Sequence, residues 1–223
     1  MIRTRCRLGL GTKALRLHRS WGYVLGVLVG CFAFCSVILI LKFTAVATIP
    51  VALAESISPE DVGSDKLDRL FARLQVVQSE EEAMPITAEI WTVWLRFGDA
   101  EIDEGMRSAV VAMNTQRFAV ALAILDALVE KAPNFAEAWN KRATVHYLLG
   151  QHDRSLSDIN RTLELEPRHF GALSGRALIF TAQENKVRAL EAIEAALKIN
   201  PYLKGAQDII ERNGCTYQPR RPI

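Results

Sequence analysis

No aspartate or glutamate occurs before Glu55, and of the four cysteines only Cys215 lies beyond Cys35. The first absence sets residues 1–54 apart as a leader with seven Lys or Arg and no acid, whereas residues 55–223 carry 20 basic and 25 acidic side chains, a formal charge of −5. A mildly acidic body lacks the clustered excess of Lys and Arg needed to neutralise phosphates, which excludes a nucleic-acid footprint. The second absence leaves the body a single cysteine, so no intrachain disulfide is expected there. Also missing are a phosphate loop, a dinucleotide fingerprint, a nucleophile elbow and a paired-histidine zinc motif. The sequence therefore points to no catalytic residue, no cofactor and no metal. His152 and His169 bracket one helix and at about 1.5 Å per residue lie roughly 25 Å apart, too far to share an ion.

The leader has its own logic. Residues 21–41 carry no charge and, as a helix, reach roughly 30 Å, the thickness of a bilayer core. Arg3, Arg5, Arg7, Lys13, Arg16 and Arg19 precede that run, which keeps residues 1–20 in the cytoplasm and sends the rest across. An A-x-A triplet at Ala52 and Ala54, after Pro50, gives the competing reading of cleavage after Ala54 within an apolar, then polar, linker over 42–63. The body is thus expected in the periplasm, either anchored in the inner membrane or released. Gly22, Gly26 and Gly30 share one helix face on which membrane helices self-associate. A lipoprotein signal ending at Cys31 and a mitochondrial presequence in the Arg-rich stretch 1–20 are further readings.

Beyond the leader the chain repeats. Pro133, Pro167 and Pro201 recur at one constant step, and the same step relates Ala109, Ala143 and Ala177; Ala121, Ser155 and Ala189; Leu125, Ile159 and Ile193; and Leu128, Thr162 and Ala196. In the middle copy Trp139 opens the unit, Ala143 takes a small-residue slot, Gly150 marks a turn, Ser155 and Ile159 follow at A-x3-F spacing, and Pro167 closes it. This pattern resembles the tetratricopeptide repeat family, a helix-turn-helix of about 34 residues in which small residues let helices approach and proline stops the second helix. His146 and Arg142 stand where the family has tyrosine and leucine. His146 is expected to be buried and hydrogen-bonded, and Arg142 to lay its stem on the helix with its charge in water. The wording of the repeats is similar to exported bacterial members of that family without an assigned role.

The resemblance implies an all-α fold, a short right-handed superhelix of antiparallel helix pairs after the membrane or signal helix. Three repeats, about 102–135, 136–169 and 170–203, fill residues 99–203. Residues 64–98 are expected as a degenerate capping helix pair: Leu67, Leu70, Phe71 and Leu74 make one apolar stripe, and Ile86, Ile90, Trp94 and Phe97 another, opened by a capping box at Ser79 and Glu82 or starting at Pro85. A closing helix over 204–214, stopped by Asn213 and Gly214, and a loose tail over 215–223 complete the body.

In such an array the first helix of each pair builds the concave wall. With Trp139 and Ala143 facing the core, the outward residues are Asn140, Thr144 and Tyr147, matched by Met106, Val110 and Met113 in the first copy and by Ser174, Leu178 and Thr181 in the third; Arg107 and Lys141 lie beside them. This mostly apolar groove suits a helix or peptide of another protein, so the expected function is a non-catalytic protein–protein scaffold of the cell envelope. Membrane-tethered repeat proteins that hand over unfolded apocytochromes c supply the other reading, a chaperone for exported chains. Too few basic groups converge at Asn140, Lys141 and Arg107 for the carboxylate clamp of heat-shock co-chaperones.

Overall fold

The computed structural model describes residues 5–6 and 59–216, with side chains from residue 63 onward. The leader span 21–41, the three glycines, Cys31 and the triplet at Ala52 and Ala54 lie outside the described residues. Among the described residues no helix is long and apolar enough to cross a membrane.

Nine helices follow one another among these residues: α1 (Pro59–Val76), α2 (Glu80–Trp94), α3 (Ala100–Asn114), α4 (Phe118–Lys131), α5 (Ala136–Leu148), α6 (His152–Leu165), α7 (Phe170–Ala182), α8 (Lys186–Ile199) and α9 (Ala206–Arg212). Helices α3 to α8 form three antiparallel pairs in the expected register. Each second helix stops two positions before Pro133, Pro167 or Pro201, whose missing N–H and fixed φ forbid another turn. Ala109, Ala121, Ala177 and Ala189 are fully buried, so paired helices meet there across methyl groups alone. In the middle pair the contact is also polar, the Ser155 hydroxyl donating to the Ala143 carbonyl at 2.8 Å.

The turns within the pairs repeat as faithfully as the helices. Gln116, Gly150 and Glu184, again one repeat step apart, all take a left-handed backbone with φ of 57°, 71° and 57°. In each turn the following amide donates back to the first helix, Arg117 to Ala112, Gln151 to His146 and Asn185 to Phe180, all at 2.8 Å. Only the middle turn uses glycine, the residue for which this conformation carries no Cβ penalty.

The N-terminal flank has the expected helix pair but packs elsewhere than expected. Ser79 caps α2 by accepting from the Glu82 amide at 3.2 Å, so the helix starts at Glu80 and Pro85 sits inside it. The stripes Leu67, Leu70, Phe71, Leu74 and Ile86, Ile90, Trp94 are buried as expected, but not against the first repeat. They share one apolar cluster with Phe170, Leu173 and Ala177 of α7, with Ile193 and Leu197 of α8, and with Ile209 and Ile210 of α9, whereas Ile102, Met106, Leu125, Leu128 and Phe135 form a second cluster. The pair α1–α2 therefore folds back across the array instead of extending it. Polar ties fix this placement: the Gln75 amide donates to the carbonyls of Lys198 and Ile199 at 3.0 and 2.7 Å, Tyr202 donates to the Val77 carbonyl at 3.2 Å, and Arg168 pairs with Asp68.

At the C-terminal end α9 runs as expected to Arg212, and Asn213 ties it to α7 by donating to Thr181 at 2.8 Å. The tail begins as a strand rather than as loose chain: β2 (Cys215–Thr216) pairs antiparallel with β1 (Arg5–Cys6), Cys6 standing opposite Cys215. Cys215 is disulfide-bonded, which overturns the expectation of a cysteine without an intrachain bond.

Candidate functional site

Helices α5 and α7 form the concave wall, and α2 lies across it, so the expected open groove becomes a half-enclosed cavity of about 580 Å³. Asn140, Thr144 and Tyr147 reach it from α5, Ser174 and Leu178 from α7, Met84, Thr87, Ala88 and Trp91 from α2. Tyr202, Leu203, Glu80 and Lys204 also line it. Such a volume falls within the usual range for sites that take a compact ligand or a few side chains of a larger one. The walls are mainly apolar. The Tyr147 hydroxyl and the Ser174 hydroxyl have no hydrogen-bond partner among the described residues, which leaves both available to a ligand.

The remaining groove residues read from the sequence do not converge here. Met106 is buried in the core of the first repeat, on one stripe with Ile102 and Ala109 that packs with Leu125 and Phe135, and Val110 and Met113 lie half-buried against the same cluster. Arg107 is exposed and paired with Glu104 at 2.5 Å. Thr181 is taken up by Asn213 and by its own bond to the Ala177 carbonyl. The cavity is thus lined from the second and third repeats with α2, and not from all three repeats.

Behind the cavity lies a buried polar cluster that sequence reasoning missed. Glu137, fully buried, accepts from His169 Nε2 at 2.8 Å and from Asn140 Nδ2 at 2.9 Å, and its other oxygen lies 2.8 Å from Lys141 Nζ. His169 Nδ1 in turn accepts the Ala172 amide at 3.1 Å, which caps α7 and assigns the ring hydrogen to Nε2. Burial alone would raise the pKa of Glu137, but the hydrogen bond from His169 and the charge of Lys141 hold it below its ordinary value. Lys141, expected beside the ligand, serves this network and covers the Trp91 ring at 5.2 Å.

Arg142 also corrects its expectation. Its guanidinium is not in water: it forks onto Asp158 at 2.8 and 2.7 Å, reaches Asp126 at 2.9 Å and lies over Trp139 at 4.7 Å. Asp158 is buried, and its carboxylate supplies the bidentate partner that a leucine in this position would leave unpaired. These bonds raise the Arg142 pKa, chiefly through Asp158. His146 is buried and bonded to Gln151 at 2.7 Å, as expected. Among the described residues no group of three or more His, Cys, Asp or Glu side chains is placed to hold a metal ion.

A family model described as tetratricopeptide repeat matches residues 107–164 and 149–203. A TPR repeat-containing protein of Rhizobium etli is 36% identical over 166 residues, 74% of this chain and 81% of that protein. The superkiller complex protein 3 of Mus musculus is 25% identical over 105 residues, 46% of this chain but only 7% of its own length. Among solved structures, the TPR2B-domain:pHsp70-complex of yeast Sti1 has 19% identity and a TM-score of 0.47, covering 52% of this chain and 94% of that one. YrrB, described as a TPR protein with an unusual peptide-binding site, has 20% identity and a TM-score of 0.43, covering 64% of this chain and 67% of that one.

Proposed function

We propose that this chain, which belongs to the tetratricopeptide repeat family, is a non-catalytic scaffold of the cell envelope that binds a peptide or helix of another protein in the cavity between α2, α5 and α7. Tetratricopeptide domains mediate protein and peptide binding and are typically non-catalytic. The observation that carries the reading is the cavity itself: mainly apolar walls from three helices, about 580 Å³, and two hydroxyls on neighbouring helices with no partner among the described residues. Apolar side chains of a partner gain by leaving water there, while Tyr147 and Ser174 take up hydrogen bonds of the partner's backbone and so set its position.

The envelope setting is supported by the leader, whose six cations before the uncharged run over 21–41 orient the body outward. A chaperone for exported chains is a second reading favoured by the scarcity of polar groups in the cavity, which selects apolar side chains more than a defined sequence. Affinity capture from detergent-solubilised membranes tests both. The wild-type chain is expected to retain a partner that Tyr147→Ala and the blocking variant Thr144→Trp lose while far-UV circular dichroism stays unchanged. Retention by both variants would remove the cavity from the binding site, and a preference for unfolded over folded clients would select the chaperone reading. Asn140 is a poorer probe, because it also supports Glu137.

A further inference from the structure

The concave wall already holds a helix. Trp91 of α2 rests on Gly171, where an added Cβ would stand 2.5 Å from the indole ring. Trp94, one turn on, stacks on His169 with ring centroids 4.0 Å apart and planes 10° from parallel. Phe170 meets both indoles edge-on or tilted, at 5.5 and 5.0 Å. The seat is therefore an aromatic slot with a glycine floor, built by α7 and braced from α5 through Glu137.

Two observations mark α1–α2 as a docked segment. Its apolar cluster joins it to α7, α8 and α9, far along the chain, instead of to the adjacent first repeat. In addition, Trp94 Nε1 is buried with no hydrogen-bond partner among the described residues, a state that few buried N–H groups keep.

We propose that the groove recognises an amphipathic helix bearing two aromatic side chains three positions apart, that α2 is an internal copy of this ligand, and that a partner helix of this kind binds by replacing it. The inference rests on reading the concave wall of α5 and α7 as the protein-binding surface; a partner that replaces α2 supplies the third side of the cavity itself and also fills the slot at His169, Phe170 and Gly171. The partner is a helix because the slot is shaped by two rings on one helix face, which positions 91 and 94 of a helix present together and an extended strand does not.

A synthetic peptide of residues 79–97, labelled for fluorescence anisotropy, tests this against the full chain. Loosening the internal copy with Trp94→Ala should make the chain bind the peptide at least about tenfold more tightly than wild type, because apparent affinity scales with the fraction of open molecules. Adding Gly171→Ala should abolish that binding, as should replacing both tryptophans of the peptide by alanine. Equal binding by wild type and a helical Trp94→Ala chain, or binding indifferent to Gly171→Ala, would overturn the proposal. If Trp94→Ala does not fold, native-state hydrogen exchange of the wild type decides: α1 and α2 should open while α5 to α8 stay protected, and exchange of all six helices only by global unfolding would sink the idea. Binding of this peptide by the Trp94→Ala chain reports on the slot, whereas capture of a partner by chains carrying Tyr147→Ala or Thr144→Trp reports on the cavity, so failure of the cavity reading is distinguishable from failure of this one.

Discussion

Replacing Glu137 probes the stability of the fold and the geometry of the site together. Its carboxylate is fully buried and holds His169, Asn140 and Lys141 around it, so Glu137→Ala strands one cation and two polar groups at once. Removing one member of a buried ionic cluster typically destabilises by about 3–5 kcal/mol. With an m-value near about 2 kcal/mol/M in urea, the unfolding midpoint should fall by about 2 M. Glu137→Gln keeps an acceptor and the shape but loses the ion pair, and is expected to lose only about 1–3 kcal/mol. The pH dependence separates charge from packing. Since the folded carboxyl titrates below its ordinary 4.5, its contribution is complete above about pH 4.5 and disappears as the pH falls through the folded value. The stability difference between wild type and Glu137→Gln should therefore be flat near neutrality and shrink in acid. The measurement is urea unfolding followed by circular dichroism at several pH values, with Glu130→Ala on the exposed face of α4 as control. A Glu137→Ala chain no weaker than this control, or a wild-type advantage that grows in acid, would refute the reasoning.

Three further outcomes follow from other parts of the molecule. Gln116→Gly and Glu184→Gly, each relieving a left-handed residue in a turn where the middle repeat already has glycine, should stabilise by up to about 1 kcal/mol apiece in the same urea assay. Gly171→Ala should destabilise by about 1–3 kcal/mol because its Cβ meets a rigid indole, while Gly175→Ala, whose Cβ would find Ile159 at 3.5 Å, should be neutral or gain up to about 1 kcal/mol. A double-mutant cycle of Arg142→Ala and Asp158→Ala should return a coupling of about 1–3 kcal/mol, and a value near zero would mean that the forked pair is solvated after all.

What the sequence could and could not disclose follows from the kind of information a repeat carries. A constant repeat step fixes helix lengths, turns and facing small residues, because those are set by neighbours inside one unit. Ala109, Ala143 and Ala177 accordingly lie buried where the spacing put them. Contacts that single out one copy have no such repetition. The fork of Arg142 onto Asp158 is such a contact: the third copy keeps an arginine, and Arg176 reaches Asn160 as Arg142 reaches Asp126, but Ala192 stands where Asp158 does, and the first copy has Ser108 in place of the arginine. The docking of α1–α2 was hidden for the same reason, since an apolar stripe tells which face of a helix is buried but not which surface buries it. Yet a signal was present in the columns that break. Asp103 and Glu137 are followed, one step later, by Gly171, and Phe135 is followed by His169. In the third copy these substitutions replace a carboxylate with bare backbone and an apolar ring with a hydrogen-bonding one, which is what two indoles require of the surface that receives them. A repeat that loses its side chain at one column and gains a polar ring two positions before it offers a surface its own unit does not need, and here Trp91 and Trp94 rest on that surface.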